Sequence, residues 1–343
     1  MENASINLHN MANNNDIKQL IQKLEKERNS KVICYLTSDK PAPPPLTFAT
    51  QVALDILPLF TDILESFKKK PNKITLVIDT TGGNLDAPWP LVNLIREYCK
   101  EFEVIVLNKS LSAGTLIVLG ADKVVMSEFS QLSPVDPAQT RPDSNNKLIK
   151  LEVEDISGYI DFVKKKIGIT EQSGLAEITK ELNKEVPPTV VGSANRTHYL
   201  IRRLAKNLLQ LPKTKLADKQ IDEVVEYLTE KLYSHSHFIN RNEAKNIIGF
   251  GDMIEYTNKE TKKIILEMIK YFNGLLKIKE TFDPIKLLSG KGEVDYVLPR
   301  AIVHSGDIKY NFHSYYKITS VADPSGVQNL NINEFKAGWE IIK

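Results

Sequence analysis

The stretch Ile78–Gln139, IDTTGGNLDAPWPLVNLIREYCKEFEVIVLNKSLSAGTLIVLGADKVVMSEFSQLSPVDPAQ, decides how the rest of the chain is read. A glycine pair, Gly82-Gly83, closes a hydrophobic strand. Ser112 follows 29 residues after Gly83, in Leu-Ser-Ala-Gly-Thr at the mouth of a second strand–helix junction. Two such junctions side by side hold an oxyanion with backbone N–H groups and set a serine hydroxyl at a helix N-terminus. Acyl transfer needs both features. Ser112 is therefore the candidate nucleophile. Ala113 N–H and Gly83 N–H are the candidate oxyanion donors, the second because glycine lets backbone and substrate approach closely. The competing reading is that Ser112 merely N-caps a helix over 112–121.

Outward from this stretch the pattern alternates between strand and helix. KVICYLT (31–37), KITLVIDT (73–80), EVIVLN (103–108) and residues 123–126 read as buried parallel strands. Helical spacing covers 16–28, 47–70 with Pro58 as a kink, and 85–102. The βαβα order implies an α/β fold with right-handed crossovers. Pro134, Pro137 and Pro142 mark a long loop over 130–147. Helical patterns return over 151–167, 170–184, 195–211, 216–232, 241–248 and 256–278, and 279–294 reads as a linker. Alternating Val, Tyr, Ile and His over 295–320 predict strands. The division expected is a flexible arm with a short helix (1–30), a core (31–250), a helix and linker (251–290) and a small β-rich appendage (291–343).

Composition bounds the function. The chain has 343 residues, 42% hydrophobic and 26% charged, as ordinary soluble globular proteins do. A net charge of +2 with interleaved lysines gives no reason to expect nucleic-acid binding. Lys164, Lys165 and Lys166 read as a solvated helix end. Cys34 and Cys99 lie in apolar runs and read as reduced, buried small hydrophobes. No Cys or His spacing suggests a metal. The N-terminus lacks a basic start and an apolar core, and no apolar run nears the ~20 residues that span a bilayer. A cytoplasmic protein is expected.

The motifs Asp79-Thr-Thr-Gly-Gly, Ser112-Ala-Gly-Thr, Gly120-Ala-Asp-Lys-Val-Val-Met and Leu132-Ser-Pro-Val-Asp-Pro-Ala-Gln resemble the core of the Clp peptidase and signal-peptide-peptidase A superfamily. The serine dehydrogenase proteinase branch matches best. Its middle helix resembles residues 192–209, and the segment closing the core resembles residues 234–249, so the resemblance spans roughly 31 to 250. It implies a Clp/crotonase-like stacked ββα core and a serine peptidase acting on peptides or unfolded proteins. It also implies a homo-oligomer whose chamber encloses the site. It implies no cofactor: despite the branch name, no GxGxxG follows a strand.

The resemblance also shows a departure. Clp peptidases carry a histidine some 25 residues after the serine, where this chain has Val135-Asp136-Pro137. The serine dehydrogenase proteinase branch has a histidine aligning with His235, in the segment where Clp peptidases carry their acid. This implies an exchanged triad of Ser112, His235 as base and Asp136 as its orienting acid. His237 and a lysine such as Lys164 stay open as bases. His198, with Arg196, Arg202 and Arg203, reads as a basic helix face, and Trp89 as core or pocket wall. Leu200, Leu204, Leu208 and Leu211 suit either a subunit interface or packing within one monomer. Two other functions compete: a crotonase-type enzyme binding a thioester oxygen without a serine nucleophile, and a non-catalytic assembly protein. On the expected division, truncation near residue 290 leaves the chemistry of Ser112 intact.

Overall fold

A computed structural model describes residues 16–43, 46–135, 138–142, 148–232, 234, 236–322 and 328–342. Along the first half run α1 (16–28), β1 (Lys31–Thr37), α2 (Ile56–Glu65), β2 (Lys73–Thr80), α3 (Pro88–Glu97), β3 (Glu101–Ser110), α4 (Ala113–Leu119) and β4 (Lys123–Met126). Then come β5 (Gln131–Leu132), β6 (Ala138–Pro142), β7 (Leu148–Glu152), α5 (Val153–Phe162), α6 (Gln172–Glu185), α7 (Pro188–Leu209) and α8 (Asp218–Glu226). The chain finishes with β8 (Ile239–Asn240), β9 (Ile254–Tyr256), α9 (Lys259–Leu275), α10 (Pro284–Leu288), β10 (Glu293–Ser305), β11 (Ile308–Ala322) and β12 (Gln328–Ile341).

The result is the expected mixed α/β architecture. One sheet runs in the order β12-β11-β10-β1-β2-β3-β4-β9, parallel from β1 to β9 and antiparallel from β1 out to β12. Successive side chains on a strand point to opposite faces, and both faces are apolar. Ile74, Leu76, Ile78, Val104 and Val106 pack against α2, α3, α4, α7 and α8. Val32, Cys34, Leu36, Val77, Ile105 and Leu107 pack against α1 and α9. A sheet covered on both sides explains why its strands read as continuous hydrophobic runs.

Local chemistry moved several boundaries. The predicted helix over 47–70 is confined to α2, because residues 46–53 run extended and Val52 bridges to Gly83. Pro58 falls in the first turn of α2, where its missing N–H costs nothing, so it makes no kink. Pro88 sits at the start of α3 and shortens the helix expected over 85–102. The expected loop over 130–147 holds β5 and β6, and β7 replaces the first turn expected near 151. Strands of two to five residues leave too little periodicity to be seen in the sequence.

The β-rich C-terminal segment is present, but it does not stand apart. β10 pairs antiparallel with β1 from Cys34↔His304 to Thr37↔Ala301, and buries Leu298, Ala301, Ile302 and Val303. The expected cut near residue 290 would strip β1 of that partner. α7 points its Ile201, Ala205, Leu208 and Leu209 into the monomer core, while Leu200 stays exposed.

α1 is fixed to the sheet by a buried ion pair. Arg28 Nε donates to Glu103 Oε1 at 3.0 Å and Nη1 to Glu255 Oε1 at 2.8 Å, while Thr75 Oγ1 donates to Glu103 Oε1 at 2.9 Å. Burial alone would raise the Glu103 pKa, but bonding and charge from Arg28 and Lys73 outweigh it and hold the carboxyl below its usual range. A carboxylate depressed in this way stabilises the fold above its unfolded pKa of about 4.3 and loses that effect as pH falls. Arg28→Met is therefore expected to lower unfolding stability by about 3–5 kcal/mol, measured by urea denaturation at neutral pH. Part of the wild type's acid sensitivity below about pH 4.3 should vanish in Glu103→Gln.

Candidate active site

The Gly82-Gly83 turn is held from two sides. Gly82 N–H donates to Thr80 Oγ1 at 3.1 Å, and Thr80 Oγ1 lies 2.7 Å from Thr37 Oγ1 in β1. On the other side Val52 N–H donates to the Gly82 carbonyl and Asn84 N–H to the Val52 carbonyl, both at 2.8 Å. Both glycines are required. Gly82 has φ +95°, and a Cβ there would lie 2.5 Å from the Leu111 carbonyl oxygen and 2.9 Å from Ser112 Cβ. Gly83 has φ +154°, and its Cβ would lie 2.4 Å from the Val52 carbonyl oxygen.

Directly against this turn stands Ser112. Gly114 N–H donates to the Leu111 carbonyl at 2.8 Å, closing a tight turn in which Ser112 holds φ +50° and ψ −114°. Such a conformation is natural for glycine and costs a serine about 1–3 kcal/mol, strain that clusters at active sites. The capping alternative fails: the Ser112 side chain makes no cap hydrogen bond to α4. Its hydroxyl has no hydrogen-bond partner among the described residues. Gly83 N–H and Ala113 N–H likewise donate to no acceptor among the described residues. Two unspent amides beside an unspent hydroxyl make an arrangement that can receive a carbonyl oxygen.

Ser133 supports Ser112 from below. Its Oγ accepts the Ser112 N–H at 2.8 Å, and its own N–H donates to Thr115 Oγ1 at 3.2 Å. In the sequence Ser133 stands within the Leu132-Ser-Pro-Val-Asp motif with nothing to mark this role. β5 then pairs with β8 through Leu132↔Ile239, and Val135 N–H donates to the Leu228 carbonyl at 3.1 Å. Thus residues 131–135 lie against the two ends of the 228–240 segment, and both reach Ser112 through Ser133. Asp136 and His235 themselves lie outside the described residues.

The other basic candidates have defined surroundings. His237 Nε2 lies 2.8 Å from Glu243 Oε1. His198 Nε2 lies 3.4 Å from Glu230 Oε1, which also binds Arg202, so this face of α7 ties to the π-helical turn Tyr227–Lys231 that follows α8. Lys164, Lys165 and Lys166 are exposed in the last turn of their helix, as expected, with Lys165 paired to Asp161. Trp89 packs half-buried against the core.

Asp79 opens the Asp-Thr-Thr-Gly-Gly motif on the opposite face of the sheet. It lies in a cavity of about 210 Å³ with Asp39, Asn108 and Lys109, closed by α9. Burial pushes its pKa up to about 6, although Asn108 Nδ2 donates to its Oδ2 at 2.5 Å and Lys109 is nearby. The bond ties the end of β2 to the end of β3, just ahead of the Gly82-Gly83 turn and Ser112.

Comparison with known proteins finds similarity over part of the chain. Residues 5–159 match the family model of the ClpP-like SDH-type serine proteinases. That bears out the resemblance drawn from the motifs, and the thioester-binding alternative is not favoured. Two uncharacterised proteins of Methanocaldococcus jannaschii are similar. One is 27% identical over 241 residues, covering 67% of this chain and 71% of its own. The other is 21% identical over 234 residues, covering 66% and 68%. Among solved structures, a serine-to-alanine mutant of the 1510-N membrane-bound stomatin-specific protease is 17% identical. It covers 71% of this chain and 86% of that chain, with a TM-score of 0.38. Among the described residues of this chain, no helix is long and apolar enough to cross a membrane.

Two outcomes follow from the geometry. Ser133→Ala removes the acceptor that holds the Ser112 amide, and should slow acylation of Ser112 about tenfold, read as the rate of fluorophosphonate labelling. Asp79 has its folded pKa raised, so its ionised form costs stability above the unfolded pKa and nothing below it. Asp79→Asn should therefore stabilise the protein near neutral pH by up to about 3 kcal/mol, with the gain fading by about pH 4. Thermal melts at the two pH values check this.

Proposed function

We propose that this protein is a serine endopeptidase of the cytoplasm that cleaves peptides or unfolded protein segments through an acyl-enzyme on Ser112. The observation that carries the reading is the junction itself. A strained Ser112, its hydroxyl free of the helix cap, stands against Gly82 beside the N–H groups of Gly83 and Ala113, which donate to no acceptor among the described residues. The family match over residues 5–159 supports the same activity.

In this reading His235 is the general base and Asp136 orients it. Ser112 Oγ attacks the scissile carbonyl carbon while His235 takes the hydroxyl proton. The carbonyl oxygen becomes an oxyanion that accepts hydrogen bonds from Gly83 N–H and Ala113 N–H. Collapse expels the amine, which takes the proton from His235, and water then hydrolyses the ester by the reverse sequence of proton transfers. Support for this pair comes from the neighbouring backbone: the Leu132↔Ile239 pairing and the Val135–Leu228 bond join the chain just before Asp136 to segments on either side of His235. His237 is the runner-up for the base, with its Nε2 2.8 Å from Glu243 Oε1.

Assembly as a homo-oligomer belongs to the same proposal. Tyr159, Phe162, Ile167, Tyr199 and Leu200 leave apolar surface exposed on the helical layer, which suits subunit contact. The cytoplasmic placement accords with two free thiols, Cys34 buried and Cys99 half-buried. Burial raises both, Cys99 to about 11, so neither is a ready nucleophile.

A fluorophosphonate probe should modify Ser112 in the wild type and leave Ser112→Ala unmodified and folded. Peptide hydrolysis retained by purified Ser112→Ala would sink the assignment. His235→Ala should reduce turnover by about three orders of magnitude or more, with the wild-type rate rising through about pH 6–7. A rate that rises only in alkali and survives His235→Ala would transfer the base to a lysine.

A further inference from the structure

The C-terminal sheet reaches the candidate oxyanion turn through one side chain. Between Pro299 and Ala301 the β10–β11 register shifts, so Arg300 is an extra residue in a bulge. Bulges redirect side chains, and this one turns Arg300 along the extended strip that precedes α2. Arg300 Nε donates to the Phe48 carbonyl at 3.2 Å and Nη2 to the Ala49 carbonyl at 2.7 Å. Nη1 donates to Ser314 Oγ at 3.2 Å and lies 3.7 Å from Glu334 Oε2, so β11 and β12 fix the guanidinium from behind. The Arg300 backbone joins in: its carbonyl accepts Ser38 N–H at 2.7 Å, and the Ser38 carbonyl accepts Thr50 N–H at 2.8 Å.

Two residues further along the same strip is Val52. It exchanges both backbone bonds with Gly82 and Asn84, and its carbonyl oxygen fills the space a Gly83 Cβ would need. The turn has no slack against Val52, so any displacement of the strip must displace Gly83. Two more ties hold the following segment, Trp339 Nε1 to Asp55 and Tyr310 OH to Asp62, both at 2.9 Å. Both of these bonds land beyond Val52, on Asp55 and Asp62. Only a planar fork spans two successive carbonyls while keeping a third N–H for Ser314.

We propose that Arg300 is a positioning residue for catalysis, setting the Gly83 N–H through the strip from Phe48 to Val52. The role rests on the peptidase reading, and it makes the C-terminal strands, which lie beyond the matched family region, part of the machinery that shapes the oxyanion hole. Arg300→Lys keeps the charge and loses the fork. Glu334→Gln loosens the guanidinium while leaving the fork in place.

The experiment compares wild type, Arg300→Lys and Glu334→Gln by amide hydrogen exchange and by the rate of fluorophosphonate labelling at Ser112. In Arg300→Lys the Val52 and Asn84 amides should exchange at least about tenfold faster, and labelling should slow about tenfold, with the Arg28–Glu103 end of the sheet unchanged. Glu334→Gln should give the same pattern in smaller measure, and it decides the matter if Arg300→Lys does not fold. Unchanged exchange at Val52 and Asn84 overturns the proposal, and so does faster exchange with an undiminished labelling rate. A wild type that never takes the probe overturns the peptidase reading instead, and the exchange measurement still decides whether Arg300 holds the turn.

Discussion

The approach of Gly82 to Leu111, Ser112 and Ala113 is the constraint on which the site depends. Two strand–helix junctions, from β2 and from β3, meet there with no room for a single methyl group. Everything near Ser112 serves that meeting. Thr80 holds the turn from the β1 side, Val52 from the outer side, and Gly114 lets α4 settle onto Thr80 and Ser110. Any side chain at Gly82 would push the two junctions apart and separate the hydroxyl from the amides. The strain in Ser112 is held in place because the surrounding contacts leave it no alternative.

This also explains what was legible in the sequence. The glycine pair and the Ser-Ala-Gly turn are visible because Gly82, Gly83 and Gly114 stand where a Cβ would clash, so Gly83, Ser112 and Ala113 are legible from local pattern. The buried strands were equally plain, since a sheet covered on both faces leaves unbroken apolar runs. Ser133 was not, because a serine accepting one backbone N–H looks like any loop serine. The extended strip through Val52 was read as helix, since its apolar spacing fits both periods and the decisive partner, Gly83, lies 31 residues away. Arg300 gave no signal at all. Its role arises from a bulge and from carbonyls some 250 residues earlier.

The two faces of the sheet divide the electrostatic work. Toward α4 the strand ends carry hydroxyls and amides, neutral groups that bind and orient without needing counter-charges. Toward α1 and α9 lie two carboxylates, Glu103 and Asp79, and they are treated in opposite ways. Glu103 is compensated by Arg28, Lys73 and Thr75, while Asp79 has the Asn108 amide, the Lys109 backbone N–H and a lysine shared with Asp39. The first anchors a helix against the sheet. The second leaves a weakly compensated carboxyl at the end of β2, bonded across to Asn108 at the end of β3.

The pairing of β1 with β10 has a consequence for biosynthesis. Cys34 and His304 are 270 positions apart (304 − 34), and a ribosome adding about 5–20 residues per second separates their emergence by about 15–55 s. Through that interval β1 has one free edge, the kind of unpaired strand that invites association with other nascent chains. The guanidinium that grips the Phe48–Val52 strip arrives only at its end. Until β10 emerges, the Phe48 and Ala49 carbonyls lack the guanidinium that holds them, so the positioning of Gly83 proposed above waits on strands made long after the turn itself.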